Sequence, residues 1–600
     1  MQNGTDPRER KGPKQPKQEK VRVRFRPARF FLTFLLLAAV VAGAFLLLHK
    51  IDAQKGGEES GAASEPPVVY ETGYLRSDGA MIPVYEMREN EEGQLLRKQA
   101  GEFARGTAVE YEQGASADEE GYLRVKIDGA ERLVEEKRIV RDAQDVLEEK
   151  TLYMHTTQNL IADLATCAPG ALIAKGTELS VIGYDELDET GAVHRYLVET
   201  ESESGETITG YVRPWYLSKT AEEALATYEP DTIGAIHAAR SDRYGGGDGG
   251  SLDYTPRQKG AFSDNVMPEE CRTLYLCSYR AVIADVDSYI ALADSCGINA
   301  FVVDISDGSA IGYASPYMQE HSPTCFAAAQ STVEEYGAAI QKIKDAGYYV
   351  IGRITTFNDT GLVTDHPEFG ILDQNGAPLK MQGNFWPSAY SRGTWQYKLG
   401  LAKEAVELFG FNEIQFDYVR FPDGTYSYEK NGTINYQNVF GETKAQAIQR
   451  FLMYVCDELH DEGVYVSADV FGETSNDYVA AYGQYWPAIS NVVDVISAMP
   501  YPDHYGESGG YKPWEHPYET LSMWAAGAVA RQAETPTPAG VRTWIQAYDA
   551  IRPPYPTYGP DQVGAQIRAI RDAGITGGYM TWNGSSNIYK YRSLVPAFNL

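Results

Sequence analysis

From about residue 271 to the C-terminus, short apolar runs alternate with amphipathic stretches, and this alternation restricts the fold more than any other feature of the chain. The apolar runs fall at 273–277, 300–305, 349–355, 413–419, 465–471, 493–499, 543–547 and 578–582. Between them lie helical patterns such as VDSYIALADSC, VEEYGAAIQKIKDAG and TWQYKLGLAKEAVELFG. Several end in glycine, the residue that most readily takes the left-handed conformation closing a helix. Strands that alternate with helices form a parallel sheet with the helices outside it. Eight such units predict an α/β fold, a (β/α)8 TIM barrel over 269–600. An open doubly wound sheet would need a Gly-rich phosphate loop after its first strand, and TLYLCSYRAVIADVD has none.

A parallel barrel presents the C-terminal ends of its strands to the active site. The ends predicted here carry Asp304 and Asp307, Arg353, Asp417 with Arg420, Asp469 with Glu473, the run Tyr501-Pro502-Asp503-His504, Trp544 with Gln546, and Trp582-Asn583. Carboxylates, arginines, a histidine and aromatic side chains are thus expected on one rim. Glycosidic bond hydrolysis requires two carboxyl groups flanking one bond, one ionised and one acting as an acid, while aromatic faces stack on sugar rings. Trp386, Trp582 and Tyr501 are the stacking candidates. An Asp417–Arg420 ion pair would hold Asp417 ionised, and Asp304 is placed to hold substrate hydroxyls or Arg353. Tyr418 can point to either face of its strand.

The remainder of the chain divides by composition. Residues 1–29 are Pro/Lys-rich and read as a disordered tail. The uncharged run at 30–48, FFLTFLLLAAVVAGAFLLL, nearly matches a hydrocarbon core of about 30 Å at 1.5 Å per residue. Its basic flank is N-terminal, which predicts a single-pass anchor with a cytoplasmic N-terminus and everything after His49 outside the cell. It exceeds a signal-peptide core in length and lacks a small-residue cleavage site. Residues 49–68 read as a linker. Two related segments follow, 69–145 and 146–220, each with short alternating strands around a common element: Ala104-Arg105-Gly106-Thr107 in the first, Ala174-Lys175-Gly176-Thr177 in the second. Both predict small β-barrels. Residues 221–268 read as a second linker, flexible over the Gly/Asp-rich 241–256.

Charge narrows the partners. The net charge is −30, yet residues 1–29 hold ten Lys/Arg against three Asp/Glu, leaving 43 basic and 80 acidic residues beyond them. An acidic body excludes phosphate-rich nucleic acid as a partner. The six cysteines form no CxxC pair and no zinc spacing, and no HExxH occurs, so neither metal nor cofactor is expected. No G-x-S-x-G elbow suggests a serine hydrolase.

The run IQFDYVRFP, with the later SADVFG and MPYPDHY, resembles the glycoside-hydrolase-like barrel of cell-surface proteins of Gram-positive bacteria over roughly residues 271–600. That domain is distantly similar to α-amylase-type and α-galactosidase-type barrels, which place a catalytic Asp at the end of strand 4, the position of Asp417. The resemblance implies Asp417 as nucleophile and Asp469 as acid/base. Glu473 is an alternative acid, and Asp503 lies where the α-galactosidase-type acid would sit. Apart from the resemblance, their places at the strand ends make Asp304, Arg353, Arg420, Tyr501, Asp503, His504, Trp582 and Asn583 the expected substrate contacts. Residues 146–220 resemble bacterial Src-homology-3-like modules through Gly210-Tyr211-Val212 and Trp215-Tyr216-Leu217, and 69–145 do so more weakly; peptidoglycan is the ligand this implies. The resulting expectation is a membrane-anchored, extracellular glycosidase acting on cell-wall or extracellular polysaccharide. A carbohydrate-binding surface protein and a wall scaffold are the alternatives.

Overall fold

The computed structural model describes residues 68–202, 204–226, 240, 242–278 and 280–600. The basic tail and the apolar run at 30–48 lie outside the described residues. Among those described, no helix is long and apolar enough to cross a membrane.

The first half is all β. Strands β1 (Tyr70–Leu75), β2 (Ile82–Glu89), β3 (Leu95–Phe103), β4 (Ala108–Glu112), β5 (Tyr122–Ile127), β6 (Ala130–Glu135) and β7 (Ile139–Val140) form one sheet. Strands β8 (Thr151–Met154), β9 (Gln158–Asp163), β10 (Ala168–Ile173), β11 (Glu178–Tyr184), β12 (Tyr196–Glu201), β13 (Thr207–Val212) and β14 (Leu217–Ser218) form the next. The orders are β3-β2-β6-β5-β4-β1-β7 and β10-β9-β13-β12-β11-β8-β14. These are one topology traced twice, so the sequence relation between the two segments is a structural repeat. Alternation of side chains puts Val109 and Tyr111 of β4, and Leu179 and Val181 of β11, into the two interiors. The common element is the turn entering β4 and β11. Gly106 and Gly176 sit there at φ +83° and +88°, a region that favours glycine. Their N–H groups donate to the carbonyls of Leu75 and Met154 at 2.8 and 2.6 Å.

The second half is a nearly closed parallel barrel of nine strand segments in the TIM-type arrangement. Barrel strands 1–6 are Cys271–Leu276, Ala300–Asp307, Tyr349–Thr355, Glu413–Asp417, Tyr465–Phe471 and Val495–Met499. Strand 7 comes in two pieces, Gly540–Val541 and Thr543–Gln546, and strand 8 is Gly578–Trp582. The first piece of strand 7 pairs with strand 6 and the second with strand 8, which brings the two edges together. Each predicted apolar run is therefore a strand. Helices Val333–Asp345 and Lys444–Asp461 open with capping boxes at Thr332 and Thr443, and Arg392–Phe409 stops at Gly410 in the left-handed conformation.

The barrel interior is polar. Glu413 at the lower end accepts from Arg542 at 2.9 Å with both side chains buried. Gln415, buried in the middle of strand 4, approaches Ser497 Oγ at 3.5 Å. Asp417 closes the same row at the upper end.

Of the stretch read as the second linker, residues 227–239 and 241 lie outside the described residues, and the part from 242 to 268 is seated on the barrel. Leu252 and Tyr254 are buried, Arg257 donates to Asp457 at 2.7 Å, and Lys259 donates to the carbonyls of Ser490 and Val493. Its attachment runs through such hydrogen bonds, which leave no apolar periodicity to read. The second sheet unit also docks on the barrel. Arg195 and Arg213 both bind Glu458 and Asp461 of the Lys444–Asp461 helix, and Tyr216 donates to Asp457.

Candidate active site

Strands 2, 3, 4 and 5 bring Asp304, Arg353, Asp417 and Asp469 to one point. Arg353 is central and buried. Its Nη1 donates to Asp304 Oδ1 at 2.6 Å, and its Nη2 and Nε donate to Asp417 Oδ2 at 2.6 and 3.2 Å. Asp307 lies 3.3 Å from the same guanidinium, and Asp469 Oδ2 lies 3.9 Å away. The cation beside Asp417 is thus Arg353 from the neighbouring strand, and the sequence expectation of Arg420 is corrected. Arg420 sits three residues on, past the end of the strand. Its guanidinium donates to the Phe421 carbonyl and lies over the Phe471 ring at 4.4 Å. The reason is geometric: in-register neighbours on adjacent strands meet inside a barrel, and Arg353 is paired with Gln415, two residues before Asp417 on the same face.

Asp417 is also held from its own backbone. Tyr418 leaves the strand at φ +52°, which turns its N–H onto Asp417 Oδ1 at 2.6 Å. Asp469 is almost fully buried. Trp544 Nε1 donates to its Oδ1 at 2.8 Å, while Oδ2 makes no hydrogen bond among the described residues. Burial, and then the charge of Asp417, push the Asp469 carboxyl well above the usual carboxylate range. Asp304 is pushed up to about 7, chiefly by burial, with Asp307 adding to the effect and Arg353 opposing it. One guanidinium shared among several carboxylates does not hold all of them ionised.

Above this cluster opens a cavity of about 810 Å³. Asp417 lines it; Asp304 and Asp469 do not. Glu473, just beyond strand 5, lines it as well and accepts from Tyr478 and Tyr482 hydroxyls at 2.5 and 3.1 Å. Of the residues expected to bind substrate, Arg353, Arg420, Tyr501, His504 and Trp582 line the cavity. Trp582 stacks with Tyr501 at 6.5 Å, giving the cavity one aromatic wall, and Tyr275 packs against Trp582 from below at 4.6 Å in a tilted contact.

Three expectations are corrected. Asp503 is turned into its own loop, where Tyr548, His504 and the Ile551 N–H bind it; although burial opposes this, the His504 and Tyr548 hydrogen bonds hold its carboxyl below the usual range. Asn583 is buried in the turn after strand 8, its carbonyl accepting from Ser586 N–H. Trp386 is fully buried, its Nε1 donating to the Met381 carbonyl, so it offers no face to a sugar. Sequence reasoning passed over Tyr275, whose hydroxyl donates to Asp304. Its place, two residues after Thr273 on an inward row, was the available signal.

Asp304 yields a pH prediction. Because its folded pKa, about 7, exceeds the ordinary value, folding favours the protonated carboxyl. That contribution is complete below the unfolded value near ~4 and is lost as pH rises through about 7. Relative to Asp304→Asn, the wild type is expected to lose on the order of 4 kcal/mol between those limits, at ~1.4 kcal/mol per unit. Thermal melts of both proteins from pH 4.5 to 8 check this; parallel profiles would contradict it.

A parallel barrel carries its active site at the C-terminal ends of its strands, where this acid-lined, aromatic-walled cavity opens. Residues 273–589 match the family described as "Putative glycosyl hydrolase domain". The chain belongs to that family and is a glycoside hydrolase. A hypothetical protein from Ruminiclostridium thermocellum is 33% identical over 33% of this chain and 97% of its own, with a TM-score of 0.28. The PgaB (BpsB) glycoside hydrolase domain from Bordetella bronchiseptica is 12% identical over 54% of this chain and 99% of its own, TM-score 0.38. The Bacillus cereus spore cortex-lytic enzyme SleL is 11% identical over 55% and 75%, TM-score 0.34. No curated protein matches the chain.

Proposed function

We propose that this chain is a membrane-anchored, extracellular hydrolase of cell-wall or extracellular polysaccharide that works by a two-carboxylate mechanism. The observation that carries the reading is Asp417: a carboxylate at the end of strand 4, bound by Arg353 and by a backbone N–H, and lining the large cavity. A carboxylate held this way is suited to act as nucleophile or base. The general acid is Glu473, because it lines the same cavity while Asp469 is closed off beneath Trp544. Asp469 then acts through its neighbours, as a protonated carboxyl that limits the negative charge around Asp417. Trp582 and Tyr501 stack on the sugar, and Arg353, Arg420 and His504 contact its hydroxyls.

The two sheet units carry the likeness to Src-homology-3-like modules, and Trp215, 49% exposed on the second, is the aromatic face offered to peptidoglycan. The apolar run at 30–48 anchors the chain, with the barrel outside the cell.

The test is release of reducing sugar from a panel of wall and storage polysaccharides by the wild type and by Asp417→Asn. Binding without release by both proteins would replace the enzymatic reading with a carbohydrate-binding one. Glu473→Gln is expected to slow hydrolysis of natural linkages by about 10²–10⁴-fold, the range for a lost general acid, and to recover on aryl glycosides whose leaving group needs no proton. If Asp469→Asn shows that leaving-group rescue and Glu473→Gln does not, the acid is Asp469.

A further inference from the structure

Beside the cavity that holds Asp417 lies a second, of about 620 Å³. Tyr244, Asp423, Phe471 and Glu473 line both, so the two cavities adjoin, with Glu473 in the boundary between them. Each volume falls within the ~300–1,000 Å³ that accommodates one small ligand, so the two together have room for a ligand that spans both.

The shared wall includes a strap that precedes the barrel in sequence. The Ala481 N–H donates to the Tyr244 carbonyl at 2.8 Å, and the Gly246 N–H donates to the Val479 carbonyl at 2.7 Å. Gly245 bridges Ala480. A Cβ on Gly245 would stand 1.8 Å from the Arg240 carbonyl oxygen, and one on Gly246 would stand 2.1 Å from that of Ala480. The glycines here permit close backbone contact, which fixes the strap over the loop that carries Glu473. Tyr244 is 43% exposed, with the Arg240 and Arg243 guanidinium groups over its ring at 4.8 and 4.7 Å, and Tyr426, 51% exposed, lines the second cavity.

We infer that Tyr244 and the second cavity are further sugar subsites, so that an extended glycan lies across both cavities and is cut within the chain. This rests on the reading of the first cavity as the place of glycan cleavage. Sugars on either side of the Asp417–Glu473 pair would occupy the two cavities, with Tyr244 as a contact at the junction.

The experiment is calorimetric binding of cello-, malto- and chito-oligosaccharides, each as disaccharide and hexasaccharide, to the full chain bearing Asp417→Asn, with and without Tyr244→Ala. In at least one series the hexasaccharide should bind about 30-fold more tightly than the disaccharide. Tyr244→Ala should cost the hexasaccharide about tenfold and leave the disaccharide within about twofold. Equal affinity for both lengths in every series, no binding in any, or an equal loss at both lengths overturns the inference. Hydrolysis of the same six compounds is followed in parallel. Length-dependent binding with hydrolysis undiminished by Asp417→Asn would defeat the catalytic reading alone. Length-independent binding with hydrolysis abolished would defeat the extended cleft alone.

Discussion

Asp417→Asn is expected to lower kcat/KM at least about 10³-fold on whichever glycan the wild type cleaves, or about 4 kcal/mol of transition-state stabilisation. The amide has the shape of the carboxylate and can still accept one hydrogen bond from Arg353, so the site should stay assembled. It is a poor nucleophile and a poor base, so the chemical step should fail. Stability should change little, since Asp304 and Asp307 still face the Arg353 cation. There is a secondary consequence at Asp469. The charge of Asp417 is the second cause of its raised pKa, after burial, so the variant should bring the Asp469 carboxyl down toward its ordinary range. A folded variant with undiminished turnover would move the chemistry away from strand 4.

The second large effect is on stability. Arg353→Met removes the cation that, among the described residues, is bound to both Asp304 and Asp417, with side chains 1% and 7% exposed, and takes away their counter-charge. Breaking a buried ion pair from one side typically costs ~3–5 kcal/mol, because the remaining charge has lost its solvent and its partner. A loss of that size is expected here, measured by thermal or denaturant unfolding near pH 8, where Asp304 is ionised. At pH 5 the loss should be smaller, since Asp304 is then protonated and needs no cation. Arg353→Lys should recover only part of it, because a single ammonium cannot reproduce the fork that reaches Asp304 and Asp417 together. A loss below about 1 kcal/mol at pH 8 would show that the cluster is neutral without Arg353.

Much of the architecture was legible in the chain because local patterns dictate it. Eight apolar runs with amphipathic stretches between them can bury both faces of their strands only in a parallel sheet covered by helices. The repeated R/K-G-T turn foretold two units of one kind, and both have the same strand order. Asp417 was visible as a charged residue closing an apolar strand. By contrast, its partner came from another strand. Arg420 is near in sequence, but Arg353 is near in space, because the barrel closes strand 3 onto strand 4.

Exposure was equally beyond the sequence. Asp417 and Asp469 look alike as strand-end acids, yet one lines the cavity and the other lies under Trp544, a residue contributed by strand 7. The glycine at 246 suggested slack chain by composition, and became a close contact only when Val479 and Ala480 were brought beside it. The sequence by itself determined which segments are strands and helices and which side chains reach the rim, since those follow from periodicity along the chain. The tertiary structure decided which charges pair, which acid meets solvent and which loop walls the cleft, since each depends on what a distant segment places within a few ångströms.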